Sequence, residues 1–368
     1  MADALKDIYN IDFLDNFASL VKKAYDSFDI EVFKEKIMDE TWEELPLRAR
    51  MIKITRMLGE QLPSEYEEAI QVLYQIDEYC TGFPYLFFPD FVAEFGQAEE
   101  HWEISMKALE RFTSRSSSEF AIRPFILRNP ERVMEQMLLW SKHSNEHVRR
   151  LSSEGCRPRL PWGVSLPVFK KDPTLVLPIL EQLKEDSSLY VRKSVANNLN
   201  DIAKDNPMVV INLAHKWIGK SEYTDWILRQ GLRTLIRSGN SDALKLFGYK
   251  ILEMDNTLIS NASISVDQEE IKIGDSCQIS YELDISQGEK THLRIEYAID
   301  FVKARDKISR KLFLLSDKMV PGGTHLTGKK NHSFADLTTR RHYSGLHRIV
   351  LLVNGQEYGE VYINLVAI

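Results

Sequence analysis

Near residue 257 the spacing of apolar side chains changes from three and four to two, and no other feature constrains the fold as much. Before that point residues such as Ile70, Leu73 and Tyr74 recur at helical intervals. After it, Ile264-Ser-Val266, Gln278-Ile-Ser-Tyr281, Leu293-Arg-Ile295-Glu-Tyr297, Arg348 to Val353 and Val361-Tyr-Ile363-Asn-Leu365 alternate as strands do. Turn residues separate them: Gly274, Gly288, Pro321-Gly-Gly323, Gly345 and Asn354-Gly355. The expected architecture is mainly α, a helical domain over residues 1–256 followed by an all-β sandwich over residues 257–368, with the boundary near Asp255 to Leu258.

Composition narrows the class. The chain has 368 residues, 43% of them hydrophobic, enough to bury a large core in more than one domain. Its longest apolar runs fall well short of the roughly 18 to 20 residues that a membrane span requires, so no membrane partner is expected. The N-terminus lacks the basic and apolar regions of a secretory signal, which predicts a cytoplasmic location. Three cysteines, Cys80, Cys156 and Cys277, lie far apart and give neither a disulfide framework nor a CxxC metal site. No HExxH, glycine-rich phosphate loop or GxSxG elbow is present, so no metal and no cofactor is expected.

The net charge of −7 conceals a polarity. Residues 1–110 carry 10 Lys/Arg against 24 Asp/Glu, whereas residues 111–237 carry 21 against 13, and residues 257–368 balance at 14 against 14. A basic middle segment attracts phosphate locally, although solvated helix faces account for charge alone equally well.

That basic segment contains a weak repeat. Asn129-Pro130, Asp172-Pro173 and Asn206-Pro207 each pair a capping residue with a proline suited to a helix start, at spacings of 43 and 34 residues. Eighteen residues after Pro130 comes Val148-Arg-Arg150, and eighteen after Pro173 comes Val191-Arg-Lys193. Such self-similarity predicts a HEAT-like-repeat α-solenoid, and the sandwich that follows is immunoglobulin-like in type but without paired cysteines.

Positions four apart share a helix face, so ladders are expected at Arg115, Glu119 and Arg123; at Arg150 and Glu154; at Lys193, Asn197 and Asp201; and at Arg229, Arg233 and Arg237. Salt-bridge decoration explains any one ladder. Four in register predict a basic groove holding Glu119, Glu154 and Asp201. The loop Cys156-Arg-Pro-Arg-Leu-Pro-Trp162-Gly163 is stiffened by two prolines and is expected to present Arg157 and Arg159 to phosphate, while Trp162 either stacks on a nucleotide or caps the core. The aromatic run from Phe83 to Phe91 is expected to pack helices instead of stacking bases. His342 and His347 are expected at the surface, or at a contact with DNA, beside a turn at Ser344-Gly345.

Three stretches carry a family resemblance: Thr113-Ser-Arg-Ser-Ser-Ser-Glu-Phe-Ala-Ile-Arg-Pro-Phe125; His147-Val-Arg-Arg-Leu-Ser-Ser-Glu-Gly-Cys-Arg-Pro-Arg-Leu-Pro-Trp-Gly163; and Tyr190-Val-Arg-Lys-Ser-Val-Ala-Asn-Asn-Leu-Asn-Asp-Ile202. Through them the chain resembles the AlkC branch of the HEAT-like-repeat DNA alkylation-repair glycosylases, which also carry an immunoglobulin-like domain after the helices. The resemblance covers nearly the whole chain. It implies a monofunctional DNA glycosylase that removes cationic N3-alkylated bases such as 3-methyladenine and 3-methylcytosine, leaving an abasic site. It also implies Glu119, Glu154, Trp162 and Asp201 as active-site residues, and access to the lesion without a deep base-flipping pocket. It further implies that the sandwich clamps the duplex from the opposite side, although its balanced charge suits a plain stabilising module equally well.

The chemistry fits independently. An N3-alkylated base leaves as a neutral molecule and needs no general acid, so the demand falls on stabilising an oxocarbenium-like sugar and orienting water, both suited to carboxylates. Arg150, Arg157, Arg159, Lys193, Arg229 and Arg233, with Lys329, Lys330, Arg340 and Arg341 of the sandwich, are the expected phosphate contacts. The expected partner is double-stranded DNA containing alkylated bases, and a monomer is expected because one lesion needs no symmetry. The alternative is a non-catalytic HEAT-repeat scaffold that binds DNA or a protein, in which the three carboxylates have no chemical role.

Overall fold

The computed structural model describes residues 5–250, 258–337 and 341–367. It divides into two compact units, Met1–Val210 with Gly219–Gly231, and Ile211–Ile218 with Leu232–Ile368. The boundary expected between residues 256 and 257 falls outside the described residues.

The acidic N-terminal part of the first unit holds α1 (Ile11–Ala24), α2 (Ile30–Ile37), α3 (Leu47–Gln61), α4 (Tyr66–Ile76), α5 (Phe87–Phe95) and α6 (Trp102–Thr113). Phe87, Phe88 and Phe91 of the aromatic run are buried, and the Phe17 ring meets Phe87 edge-on at 4.9 Å. The run therefore packs helices, as its mixed spacing indicates.

The basic part continues with α7 (Arg123–Arg128), α8 (Pro130–Trp140), α9 (Glu146–Glu154), α10 (Pro167–Lys171), α11 (Leu177–Leu183), α12 (Leu189–Ile202), α13 (Pro207–Trp217), which belongs to the second unit from Ile211 on, and α14 (Glu222–Gly231). Capping residues set the starts. Asn129 accepts the Arg132 amide at 3.2 Å before α8, and Asn145 accepts the His147 amide at 2.8 Å before α9. At Asp172-Pro173 the structure differs: Asp172 accepts the Thr174 amide at 2.9 Å, but the chain makes a turn and α11 begins only at Leu177. Helix α8 packs on α9, α11 on α12, and α9, α12 and α14 lie side by side.

Two ladders break. Arg115 and Glu119 lie on the connection between α6 and α7, and Arg123 opens α7 with its side chain buried, so these three do not share one helix face. Arg229 ends α14, whereas Arg233 and Arg237 belong to the separate helix α15 (Arg233–Arg237) in the second unit, which also holds α16 (Ser241–Leu246). The Arg150/Glu154 ladder on α9 and the Lys193/Asn197/Asp201 ladder on α12 each lie on a single helix.

The second unit carries strands β1 (Ile259–Val266), β2 (Glu270–Lys272), β3 (Ser276–Ile285), β4 (Thr291–Val302), β5 (Ile308–Val320), β6 (His325–Ser333), β7 (Gly345–Val353) and β8 (Gln356–Val366). They form a three-stranded sheet, β1-β3-β6, and a five-stranded sheet, β2-β8-β7-β4-β5. Inward side chains of both sheets, among them Ile279 and Leu283 from one and Ile295, Ile349 and Ile363 from the other, share one core. The β7–β8 hairpin turns on Asn354 and Gly355, at φ 47° and 80°, the left-handed pair that a two-residue turn requires.

His342 and His347 are buried, contrary to the expectation of surface positions. The His347 Nδ1 accepts the Val302 amide at 3.2 Å, and its Nε2 donates to the Tyr343 carbonyl at 3.0 Å, so the ring serves the core as a neutral hydrogen-bonding group. All three cysteine side chains are buried too. No helix among the described residues is long and apolar enough to cross a membrane.

Candidate active site

The close approach of α9 and α12 starts with small polar residues. Ser153 and Ser194 hydroxyls meet at 2.7 Å, and the Asn198 amide nitrogen donates to the Ser153 carbonyl at 2.7 Å. Joined by these contacts, the two helices bring Glu154, the last residue of α9, near Asp201, close to the end of α12.

A chain of alternating charge runs through this seam. Arg150 Nη1 donates to Glu119 Oε2 at 2.5 Å, and its Nη2 lies 3.7 Å from Glu154 Oε1. Arg157 Nη1 donates to Glu154 Oε1 at 2.6 Å while its Nε donates to Asp201 Oδ2 at 2.9 Å. Lys204 Nζ donates to Asp201 Oδ1 at 2.9 Å, and Ser117 Oγ donates to Glu119 Oε2 at 2.8 Å. Three carboxylates thus alternate with three cations. Burial by itself would lower the Arg150 and Arg157 guanidinium pKa values, but the facing carboxylates outweigh it and push both up, so the charges persist.

Above this chain lies a cleft of about 450 Å³ lined by Glu119, Arg150, Glu154, Arg157, Tyr190 and Trp162, with Phe83, Leu86 and Phe120 among its apolar residues. Asp201 is only 2% exposed and stands behind Arg157. The Arg150 guanidinium lies over the Tyr190 ring, 4.6 Å from its centroid. Trp162 is 69% exposed and adopts φ 63°, a left-handed conformation that costs a non-glycine residue about 1–3 kcal/mol unless its surroundings fix it. Of the two fates open to Trp162 in the sequence, the core cap is not realised. Its ring borders the cleft and two further hollows of about 400 and 340 Å³ toward Arg48 and Phe120. No group of three or more His, Cys, Asp or Glu residues is placed to hold a metal among the described residues.

The model of a family described as "Uncharacterised protein YhaZ, C-terminal Ig-like domain" matches residues 260–367. The uncharacterized protein YhaZ of Bacillus subtilis (strain 168) is 44% identical over 356 residues, 97% of each chain. The structure of the Pseudomonas fluorescens alkylpurine DNA glycosylase AlkC, bound to DNA containing an abasic site analog, superposes with a TM-score of 0.91 at 38% identity, over 99% of this chain and 100% of that one. The chain belongs to the AlkC family.

In this AlkC-family chain the candidate phosphate contacts fall into distinct settings. Lys193 and Arg229 are exposed on α12 and α14, and Arg233 is partly buried on α15. Arg159 is exposed and pairs with Asp205 at 2.6 Å. Arg157 does not face solvent as the loop's prolines led one to expect. It is 7% exposed, because the loop folds back, with the Leu166 amide donating to the Pro158 carbonyl at 3.1 Å, and turns that side chain onto Glu154 and Asp201. Lys329 and Lys330 are exposed on β6 and Arg341 is exposed after it, whereas Arg340 lies outside the described residues.

Sequence reasoning missed Tyr190, Phe83 and Arg48. Tyr190 stands three positions before Lys193, on the quoted α12 stretch, and that spacing was its only available signal. The Phe83 ring approaches Trp162 edge-on at 6.4 Å. Arg48 is held by Asp90 through two hydrogen bonds at 2.5 and 2.7 Å and lies over the Phe120 ring.

Proposed function

We propose that this chain is a DNA glycosylase that excises cationic N3-alkylated bases, 3-methyladenine and 3-methylcytosine, by hydrolysing the N-glycosidic bond without a second lyase step. The observation that carries this reading is the bridge Glu154–Arg157–Asp201, in which two carboxylates flank one positive charge. A sugar losing a neutral base develops the same charge, and preorganised carboxylates stabilise it without reorganising at the moment of reaction. The likeness to a protein described as an alkylpurine DNA glycosylase supports the same reading.

Glu154 and Asp201 take the oxocarbenium-stabilising and water-orienting roles, with Glu119 supporting. Glu119 and Glu154 border the cleft, and Asp201 stands behind Arg157, which links it to Glu154. Trp162 lies against the lesion nucleotide, its exposed ring offering a face to a cation. Helices α8 to α14 act as HEAT-like pairs of a solenoid whose Arg150, Arg159, Lys193 and Arg229 hold phosphates, and the second unit adds Arg233 of α15 with Lys329, Lys330, Arg340 and Arg341. The protein works as a monomer in the cytoplasm.

The test is incubation with methylated duplex DNA followed by chromatography of the released bases. Wild-type protein is expected to release 3-methyladenine or 3-methylcytosine, whereas Asp201→Asn and Glu154→Gln retain duplex binding and lose release. A wild-type protein that binds methylated DNA but frees no base would establish the scaffold reading instead.

A further inference from the structure

Arg123 is the first residue of α7 and is 1% exposed. A buried cation is normally matched by a carboxylate. Arg123 forms no ion pair among the described residues. Its guanidinium instead donates to three main-chain carbonyls: Nη1 to Gly155 at 2.8 Å and to Arg157 at 2.9 Å, and Nε to Val164 at 2.5 Å. Nη2 is buried with no hydrogen-bond partner.

Those three carbonyls bracket one loop. Gly155 and Arg157 lie one and three residues past Glu154, the end of α9, and Val164 follows Trp162 by two residues. Between them lie Arg157, which holds Glu154 and Asp201, and Trp162 in its left-handed conformation. The stem of Arg123 also packs at Gly163, where an added Cβ would stand 3.4 Å from the Arg123 Cδ. A planar guanidinium presents several donors in one rigid fork, which a lysine ammonium on a flexible stem does not reproduce.

We propose that Arg123 is a positioning residue that ties the two ends of the 155–164 loop together and so fixes Trp162 and Arg157 over the cleft. This rests on the glycosylase reading for its effect on rate, but the tie itself is readable without activity. Arg123 touches neither DNA nor the reacting atoms; it acts through Trp162 and Arg157.

The experiment compares wild type, Arg123→Lys, Arg123→Gln, Trp162→Ala and the double variants. Single-turnover base release, affinity for duplex containing an abasic-site analogue, and amide hydrogen exchange of peptides covering residues 155–166 and 189–202 are measured on each. Arg123→Gln and Arg123→Lys are both expected to slow release at least tenfold while changing duplex affinity less than threefold, because the fork matters and not charge alone. In the Trp162→Ala background the further loss should shrink to less than threefold, the non-additivity expected of residues acting as a unit.

Exchange should rise at least tenfold in 155–166 and stay within twofold in 189–202, whereas a general loss of stability raises both. If Arg123→Gln does not fold, Arg123→Lys in the same cycle decides. Fully additive losses, or unchanged exchange in 155–166, would overturn the proposal. A wild type that releases no base sinks the glycosylase reading alone, since the exchange comparison still tests the tie.

Discussion

Glu154 and Asp201 share one guanidinium, and this decides what single substitutions do. Removing Arg157 leaves two buried carboxylates facing each other without their common cation. Arg157→Ala is therefore expected to cost about 3–5 kcal/mol of stability, measured by denaturant unfolding. Its effect on the salt dependence of duplex binding should be small. Arg159 is different, since its exposed side chain pairs with Asp205, and Arg159→Ala should flatten that slope by about one unit if it contacts a phosphate. Trp162→Ala should leave stability within about 0.5 kcal/mol, because the ring is mostly exposed, yet lower base release in the assay above. The meeting of Glu154 and Asp201 was legible from the ladders on α9 and α12, whereas Glu119, on the connection between α6 and α7, was named only by the quoted stretches. The direction of Arg157 was not, because local stiffness at two prolines says nothing about which way a loop folds back. Phe83, Tyr190 and Arg48 arrive at the cleft from three different elements, and no spacing in the chain records that meeting.

Helices α12 and α14 approach closely at Gly231, where an added Cβ would stand 3.0 Å from the Leu199 Cβ and 3.4 Å from the Ala196 carbonyl oxygen. Gly231→Ala is expected to push the two helices apart at a cost of about 1–3 kcal/mol, read as a lower midpoint in urea unfolding. Elements with strong periodicity and a cap were legible: α8 begins at Pro130 as its Asn129 cap dictates, and α9 and α12 start two residues before Val148 and Val191. Strands β5 and β6, and the three-residue β2, were not recognised. In β6 the run His-Leu-Thr-Gly-Lys-Lys-Asn-His-Ser is largely polar, and β5 lies at the edge of its sheet with little full burial, so neither shows a clean two-residue alternation. The outer ladders failed for a related reason. Fourth-residue spacing continues through a sequence even where the helix stops, as it does at Thr113 and again at Gly231.

For the molecule as a whole, acidity acts through the sandwich. Burial lowers the His347 pKa, reinforced by the neighbouring His342 and Lys303 charges and only partly offset by its hydrogen bond to Tyr343. An unfolded chain regains an ordinary histidine value of about 6.5. Below that pH the unfolded state takes up a proton that the folded state refuses. Stability from this group is therefore complete above about pH 6.5 and is lost as pH falls toward the lower folded value. Between pH 7.5 and 5 the thermal midpoint of His347→Gln should fall less, or rise more, than that of the wild type, because His325, whose pKa Asp284 raises, acts with the opposite sign in both proteins.

The buried cysteines bear on survival among electrophiles. Reagents that methylate a ring nitrogen also attack thiolates, so a repair protein with accessible thiols would be inactivated by the agent that creates its work. Here burial pushes the Cys80 and Cys156 thiols up to about 12 and Cys277 to about 11, leaving little thiolate at neutral pH and none of it exposed. Native protein treated with methyl methanesulfonate should retain its three unmodified cysteines by mass spectrometry, and the unfolded chain should not. On the glycosylase reading proposed above, this burial keeps the protein intact while its DNA is being alkylated.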